Sequence, residues 1–218
     1  MSLATIRRDY AGAPLDIADC DPDPFRQFAL WFEQVRTLEA DPTAMVLATT
    51  SAAGRPSARM VLLKELDARG FVFFTNYESR KAADLAATGY ASLLFYWASL
   101  ERQVRVEGRV ARVSEADSDA YFLSRPVESR WGVYGPRQSR TVAGRGVIET
   151  LVAEAQTRYG DDVPRPPWWG GYRVTPDLFE FWQGRPSRLH DRILYRPAER
   201  PTSHTAEDTT WTLERLAP

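Results

Sequence analysis

The clearest strand patterns in this chain of 218 residues lie in Ala91-Ser-Leu-Leu-Phe-Tyr-Trp97 and in Val104-Arg-Val-Glu-Gly-Arg-Val110. The first segment is a continuous apolar run, which is typical of a strand buried on both faces. The second alternates valines with charged residues, which is the pattern of a strand with one buried face. Gly108 interrupts that alternation and indicates a β-bulge. Both segments therefore predict β-strands.

Three shorter runs upstream also have the composition of strands. They comprise residues 45–50, 57–66 and 71–75, and the turn-like sequences Ala53-Gly54 and 67–70 separate them. Runs of this length joined by short turns predict antiparallel hairpins.

Helices are predicted on both sides of these runs. Asp23 followed by Pro24 has the form of an N-cap and a first helical residue. Apolar residues then recur every three or four positions, so this helix buries one face until Asp41-Pro42 ends it. Ser79 is predicted to cap a short second helix over residues 79–87.

The second half of the chain is predicted to hold two helices and then several strands. The helices are expected over residues 114–125 and 147–159, with irregular chain over 126–144 between them. An exposed polar loop is expected over 197–208. The strand-like runs are 171–174, 178–182, 187–195 and 210–216.

This order of elements favours an α+β, mainly β fold. Six to eight strands with three or four helices are typical of an antiparallel closed or split β-barrel with flanking helices. We find no linker long enough to separate two domains. We therefore expect an N-terminal arm over residues 1–22 and a single domain over residues 23–218.

The composition excludes several classes of protein. With 28 Lys+Arg against 29 Asp+Glu, the chain lacks the basic excess of a protein that coats nucleic acid. One cysteine rules out an intrachain disulfide and a thiolate zinc cluster. No apolar run approaches the ~20 residues that span a bilayer, and residues 1–10 lack the apolar core of a signal peptide. We therefore expect a cytoplasmic protein without nucleic-acid or membrane partners.

The basic residues are unevenly divided. Lys64 and Lys81 are the two lysines and the remaining 26 basic residues are arginines, a bias that genome composition readily explains. Standard catalytic motifs such as GxSxG, the P-loop and HExxH are missing from the sequence. With two histidines and one cysteine, a metal site is not expected.

Cations beside small polar donors recur in segments far apart in sequence. Ser79-Arg80-Lys81 opens a helix, where backbone N–H groups and two cations suit a phosphate, although ordinary surface charge would look the same. Tyr121, Arg125 and Ser129 step by four and could share a helix face. Pro126 is expected to end that helix and leave Ser129 in a loop.

Two strand-like runs carry further cations. In a continuous strand Arg188, His190 and Arg192 would line one face, as an anion site or simply as a solvated surface. Arg59 and Lys64 differ by five positions and would point to opposite faces, so they could serve two different groups. Together these features are consistent with two phosphates, and Trp182 offers a stacking surface for a planar ring.

The chain resembles the pyridoxine/pyridoxamine 5′-phosphate oxidase family in ordered motifs from Arg7 to the C-terminus. The most specific are RMVLLK, EFWQG and RLHDR. The motifs are Arg59-Met-Val-Leu-Leu-Lys64, Phe74-Thr-Asn-Tyr-Glu-Ser-Arg-Lys81, Leu93-Leu-Phe-Tyr-Trp97, Glu101-Arg-Gln-Val104, Tyr121-Phe-Leu-Ser-Arg-Pro126, Trp169-Gly-Gly-Tyr-Arg173, Glu180-Phe-Trp-Gln-Gly184, Arg188-Leu-His-Asp-Arg192 and Glu214-Arg-Leu-Ala-Pro218.

The resemblance implies a homodimeric split barrel with FMN in clefts at the subunit interface, and a C-terminal dimerisation and substrate-binding segment over about 168–218. The residues implied for FMN are Arg59, Met60, Val61, Leu62, Leu63, Lys64, Phe74, Thr75, Arg80, Lys81, Gln103, Gln138, Ser139, Trp182 and Arg192. Those implied for the substrate are Arg7, Tyr10, Lys64, Tyr121, Arg125, Ser129, Arg188 and His190. Arg188 and His190, the catalytic pair, would lie over the pyridine ring, and Arg7 and Tyr10 would form a lid.

The implied reaction oxidises pyridoxamine or pyridoxine 5′-phosphate to pyridoxal 5′-phosphate, with O2 as acceptor and H2O2 as product. We expect Arg188 and His190 to orient the substrate without an obligatory general base. The chain departs from the family at Phe74, where many members have Tyr, and over Trp131–Arg137, where small residues are usual.

Three alternatives remain open on the sequence. One is a flavin or deazaflavin reductase of the same superfamily with another substrate. The second is a carrier that binds a flavin or pyridoxal phosphate without catalysis, and the third is a nucleic-acid-binding barrel, which the balanced charge disfavours.

Overall fold

The computed structural model describes residues 1–3, 5, 9–199 and 209–218. In this part of the chain the strands are β1 Ala44–Thr50, β2 Pro56–Leu62, β3 Glu65–Asp67, β4 Gly70–Asn76, β5 Tyr90–Trp97, β6 Arg102–Arg112, β7 Trp169–Gln183, β8 Asp191–Pro197 and β9 Trp211–Arg215. The α-helices are α1 Pro24–Val35, α2 Arg80–Thr88, α3 Glu115–Ser124, α4 Val127–Trp131 and α5 Arg145–Tyr159. Short 3-10 turns cover Ile17–Asp19, Gly132–Tyr134 and Pro186–Arg188.

All the strands belong to one antiparallel sheet. Its order is β2-β1-β5-β6-β7-β4-β3, and β8 and β9 extend it from β7. The long strand β7 pairs with β4 through its first half and with β8 through its second half, while β6 runs along most of its length. The sheet curls into a half-barrel, so the predicted mainly β, antiparallel split-barrel fold with flanking helices is confirmed.

Helix α1 fills the inside of the curled sheet. The Asp23 carboxylate accepts a hydrogen bond from the Phe25 N–H at 2.9 Å, so the predicted N-cap is confirmed. Phe28 places its ring 5.0 Å from the ring centroids of Phe71 and Phe95. The helix ends at Val35, before the predicted stop at Asp41-Pro42, because the buried apolar spacing ends there.

The predicted bulge at Gly108 is confirmed. The register between β6 and β7 shifts between Glu107 and Gly108. A Cβ on Gly108 would lie 2.0 Å from the Thr175 carbonyl oxygen, so the backbones approach too closely for any side chain.

The prediction that residues 57–66 form one strand is wrong. The chain leaves β2 after Leu62, where the Leu63 N–H still donates to the Thr43 carbonyl. The next amide, that of Lys64, donates instead to the Val72 carbonyl on β4, at 2.8 Å. Lys64 therefore lies at a crossing between two strand pairings, so the expected opposite facing of Arg59 and Lys64 does not apply.

Strand β5 is not buried on both faces as predicted. Phe95 is fully buried under α1, whereas Tyr96 on the other face is 48% exposed. The uninterrupted apolar run reflects a sheet whose outer face is itself apolar, with Met60 60% exposed on nearby β2. Exposed apolar side chains on one face are typical of a protein–protein contact surface.

Three further expectations for the second half of the chain need correction. Residues 171–174 and 178–182 belong to one strand, β7. The strand predicted over 187–195 begins at Asp191, and residues 126–144 contain helix α4. Residues 200–208 of the predicted loop lie outside the described part of the chain. Within the described part, no helix is long and apolar enough to cross a membrane.

Candidate functional site

A cleft of about 900 Å³ opens beside β2 and β4 and is closed by α3, α4 and the chain that follows. We call this cavity the cleft. Most residues predicted for the site line it: Arg59, Met60, Val61, Leu62, Lys64, Phe74, Thr75, Lys81, Tyr121, Arg125, Ser129 and Gln138. Sequence reasoning missed others, namely Asn76, Gly132, Val133, Gly135, Pro136, Ile148 and Trp169. Of these, Asn76 and Trp169 belonged to quoted motifs.

One end of the cleft gathers cations around the start of α2. The Lys81 ammonium donates to the Gln138 side-chain oxygen at 2.8 Å, and the Arg80 backbone N–H donates to the Ser139 hydroxyl at 3.3 Å. Lys81 is 9% exposed, so it is not ordinary helix-surface charge. Burial, followed by the positive charge of Arg59, lowers the pKa of Lys81 to about 8.

Arg59 is held in this group by its own sheet. Its Nη1 donates to the Thr49 hydroxyl at 2.7 Å and to the Leu47 carbonyl at 3.0 Å. The carboxylate nearest to its guanidinium is that of Asp84, 4.0 Å away, which accepts a hydrogen bond from Thr49. Because Arg59, Arg80 and Lys81 outnumber this carboxylate, the end of the cleft favours an anion.

Helix α2 adds its backbone to the same end. Ser79 caps the helix by accepting a hydrogen bond from the Ala82 N–H, as predicted. The first N–H groups of the helix therefore point out of its N-terminus beside Lys81, which is a favourable geometry for a phosphate.

A second cationic point lies among the aromatic side chains of the cleft. The Arg125 guanidinium lies 4.8 Å from the Trp169 ring centroid. Its Nη1 is buried and has no hydrogen-bond partner among the described residues. Burial lowers the pKa of Arg125 and raises that of neighbouring Tyr121. A buried guanidinium donor without a partner costs roughly 1–3 kcal/mol, which an anionic ligand would recover.

Ser129 reaches the cleft differently from the prediction. Pro126 ends the preceding segment but also precedes α4, so Ser129 is helical rather than in a loop. A proline blocks the helix before it and is well suited to begin the next one, which explains the error.

Aromatic rings form one wall of the cleft. Phe74 and Tyr121 stack with centroids 3.9 Å apart, and Trp169 continues the stack 5.6 Å from Phe74. The wall therefore offers flat apolar surface, and Phe74 contributes its ring without a hydroxyl group.

The segment that contains Trp131 and Tyr134 is anchored to the chain after α5. The Trp131 indole N–H donates to the Gly160 carbonyl at 2.7 Å, and the Tyr134 hydroxyl donates to the Pro164 carbonyl at 2.8 Å. The large side chains thus hold the segment that leads to Gln138.

A second group of predicted residues lies elsewhere on the sheet. Gln103 on β6, Trp182 on β7 and Arg192 on β8 are direct cross-strand neighbours, and we call them the Trp182 row. The His190 ring lies 4.7 Å from Trp182 and the Tyr10 ring 5.3 Å from His190. Among the described residues that line the cleft, neither the Trp182 row nor Arg188 and His190 appear.

The prediction that Arg188, His190 and Arg192 share a strand face is wrong. Ser187 and Arg188 have φ values of 56° and 63°, in the left-handed region, and form a turn before β8. Such strain at non-glycine residues persists only where the surroundings hold it. The Arg185 N–H donates to His190 Nδ1 at 3.0 Å, which leaves the proton of a neutral imidazole on Nε2.

The N-terminal arm packs beside this turn. The N–H groups of Ala11 and Gly12 donate to the Glu101 carboxylate at 2.7 and 3.0 Å, and that of Leu15 donates to Asp191 at 3.0 Å. Tyr10 is thereby placed against Trp182 and His190. Arg7, its predicted partner in a lid, lies outside the described residues.

The fold and the site define a split-barrel protein with an aromatic cleft that contains buried cations. The family model described as pyridoxamine 5′-phosphate oxidase matches residues 32–159, and that of the pyridoxine 5′-phosphate oxidase C-terminal dimerisation region matches residues 169–218. The chain belongs to the pyridoxine/pyridoxamine 5′-phosphate oxidase family and is an oxidoreductase.

Similar proteins cover the whole chain. The pyridoxine/pyridoxamine 5′-phosphate oxidases of Paraburkholderia phytofirmans and Burkholderia multivorans are 55% and 56% identical over 100% of this chain and 99% of theirs. The structure of PhzG from Burkholderia lata, in complex with tetrahydrophenazine-1-carboxylic acid, has a TM-score of 0.84 and 29% identity over 95% of this chain and 100% of its own. An FMN-binding protein from Nostoc punctiforme shares the fold, with a TM-score of 0.70 and 17% identity over 90% and 98% of the two chains.

Proposed function

We propose that this chain oxidises pyridoxamine 5′-phosphate and pyridoxine 5′-phosphate to pyridoxal 5′-phosphate, with FMN as cofactor, O2 as acceptor and H2O2 as product. The observation that carries the proposal is the presence of two separate anion-seeking groups in one cleft. Lys81 with Arg59 forms one group, and Arg125, whose Nη1 has no hydrogen-bond partner among the described residues, forms the other. A flavin phosphate and a substrate phosphate require two such groups.

FMN fits the first group. Arg59, Arg80, Lys81, Gln138 and Ser139 offer cations and polar groups around a helix N-terminus, which suits a phosphate dianion. The remaining residues proposed for FMN are Met60, Val61, Leu62, Leu63, Lys64, Phe74, Thr75, Gln103, Trp182 and Arg192. Bound FMN would supply the acceptor for a hydride from the substrate and the route by which electrons reach O2.

The substrate fits the second group. We assign its phosphate to Lys64, Tyr121, Arg125 and Ser129, which line the same cleft. His190 would donate from Nε2 to the pyridine ring, because the Arg185 amide already occupies Nδ1. Protein side chains then contribute orientation rather than proton abstraction, which can itself supply a large part of the rate.

Arg188, Arg7 and Tyr10 complete the proposed substrate set. Arg188 is exposed at the left-handed turn, where a ligand could engage its guanidinium. Tyr10 lies against His190, so the arm is well placed to cover a bound substrate. We propose the arm of residues 1–22 as the lid and residues 23–218 as the domain that it covers.

A homodimer would join the two parts of the site. Residues 169–218 match the family's dimerisation region. Trp182, His190 and Arg192 lie in that segment, and Gln103 pairs with Trp182 across the sheet. The exposed apolar side chains of Met60, Leu62 and Tyr96 supply a surface that a second copy would bury. We propose that each site combines the cleft of one copy with the Trp182 row of the other.

The cytoplasmic location stays a prediction from the single cysteine.

The proposal is tested with purified protein reconstituted with FMN. Pyridoxamine 5′-phosphate should bleach the flavin absorption under anaerobic conditions, and admission of air should restore it with formation of H2O2. Unphosphorylated pyridoxamine should react far more slowly, because it leaves Arg125 without a partner. FMN-loaded protein that binds the phosphorylated amine but forms no H2O2 would instead be a carrier.

A further inference from the structure

A buried charged cluster connects β6, β7 and β8 outside the cleft. Glu180 is 3% exposed and uses its two carboxylate oxygens on two different arginines. One oxygen accepts from Arg105 Nη2 at 2.5 Å and the other from Arg192 Nε at 2.7 Å. Burial alone would raise the pKa of Glu180, but the hydrogen bonds from Arg192 and Arg105 lower it, so the carboxylate is ionised.

The strand register explains why Glu180 reaches Arg192. Glu180 and Trp182 are two positions apart on β7 and point to the same face of the sheet. Arg192 is the cross-strand partner of Trp182, so Glu180 is its diagonal neighbour. The Glu180 carboxylate therefore contacts the Trp182 row through Arg192.

The Arg192 side chain is held from two sides. Its Nε donates to Glu180, and its Nη1 donates to the Ala217 carbonyl near the C-terminus at 2.8 Å. Within the described residues these bonds leave both N–H groups of Nη2 and the second N–H of Nη1 to contact a ligand. A guanidinium is planar, so fixing two of its nitrogens fixes the direction of the third.

We propose that Glu180 is a positioning residue that presents the Arg192 guanidinium to the flavin. The inference rests on the proposed function, in which Arg192 contacts FMN. An arginine side chain that is already ordered loses less conformational entropy when the cofactor binds. The carboxylate also partly offsets the positive charge beside the flavin.

Glu107 offers a matched control. It forms an ion pair with the same Arg105, two residues away on β6, but it makes no recorded contact with Arg192. Glu180→Gln and Glu107→Gln therefore remove one negative charge each from the same cluster, and only the first removes the support of Arg192.

The experiment measures FMN binding to the full-length apoprotein by quenching of flavin fluorescence, together with the flavin reduction potential. For Glu180→Gln we expect the Kd for FMN to rise about tenfold and the potential to become more positive. Glu107→Gln should stay within about twofold of the wild type. Glu180→Asp keeps the charge but is one methylene too short to hold both arginines, and an intermediate Kd is expected.

Wild-type affinity and potential in Glu180→Gln would overturn the inference. An equal loss in Glu107→Gln would overturn it too, because the loss would then follow the charge of the cluster rather than the support of Arg192. If Glu180→Gln does not fold, Glu180→Asp decides, and a Kd equal to that of the wild type refutes the inference. Wild-type protein that does not bind FMN would refute the proposed function instead.

Discussion

The cleft and the Trp182 row hold their cations in opposite ways. In the row, Arg192 has a carboxylate at 2.7 Å and a second hydrogen bond to the C-terminal chain. In the cleft, Lys81 is buried beside Arg59, and Arg125 has a buried nitrogen without a partner among the described residues. In the proposed function the cleft cations would bind ligand phosphates, whereas the row orients a cation that a carboxylate already neutralises.

The comparison predicts the largest effect at Arg125. Replacing it by Gln should lower kcat/KM for pyridoxamine 5′-phosphate about 100-fold, since a charge-assisted bond to a buried group contributes about 1.5–3 kcal/mol. The Kd for FMN should not change, and the apoprotein should lose little stability, because Nη1 has no hydrogen-bond partner among the described residues and the contact of the guanidinium with the Trp169 ring is the main interaction lost.

Steady-state kinetics, FMN titration and thermal unfolding measure the three quantities. Arg137→Gln is the control, because Arg137 is in the same part of the chain but its side chain is 73% exposed. A marked fall in apoprotein stability in Arg125→Gln would show that Arg125 is structural and would break the comparison.

The next largest effect is expected at the other end of the cleft. Lys81→Met should weaken FMN binding about 30-fold, because it removes a buried cation from the group that would bind the flavin phosphate. With FMN at saturating concentration the KM for the substrate should be near that of the wild type. Fluorescence titration and kinetics at high FMN separate the two effects, and a raised KM with normal FMN affinity would contradict the assignment.

The lowered pKa of Lys81 predicts how FMN binding depends on pH. Above pH 8 the free protein loses this proton, and because a phosphate favours the charged ammonium, binding has to restore it. The Kd for FMN should therefore be about tenfold higher at pH 9 than at pH 7. In Lys81→Arg the guanidinium stays charged, so the Kd should change little over this range.

The lowered pKa of Lys81 has the opposite effect on the stability of the apoprotein, which should increase with pH. Between about pH 8 and 10.5 the unfolded chain holds the Lys81 proton more tightly than the folded protein does. The contribution of Lys81 to the stability of the free protein should therefore increase as pH rises through this window. Denaturant unfolding of wild type and Lys81→Met at pH 7 and 9 tests the sign.

The smallest expected effect is at Lys64. Lys64→Arg keeps the charge but replaces a compact ammonium by a planar fork, which is less able to serve two neighbouring anions. The KM for the substrate should rise about fivefold. Unchanged KM and turnover would mean that any cation suffices at this position, and Lys64 would then differ little from the surrounding arginines.

Local features were predictable from the sequence because they depend on residues a few positions apart. The caps at Asp23 and Ser79 each bind an N–H two or three residues ahead, as their side chains suggested. The bulge at Gly108 was also predictable, because the glycine itself interrupts the alternation of valines and charged residues. The family motifs named most of the residues that line the cleft.

Errors arose where hydrogen bonds outside the pattern of apolar and polar residues decide the path of the chain. Lys64 leaves its strand because Val72 offers the next carbonyl, and the turn before β8 depends on the Arg185 amide bonding to His190. Neither partner is visible in the local pattern of apolar and polar residues. The alternating burial of β5 was not predicted either. An apolar residue in the sequence does not reveal whether its side chain faces the core or an exposed surface.

The sequence by itself determined the residue types, the starts of α1 and α2 and the membership of the family. Tertiary structure alone decided that Lys81 is buried beside Arg59, that Nη1 of Arg125 has no hydrogen-bond partner among the described residues, and that Glu180 supports Arg192. The physical reason is that pKa shifts, unmet hydrogen bonds and cross-strand neighbours depend on distances through space. Those distances follow from strand register, which pairs residues from distant parts of the chain.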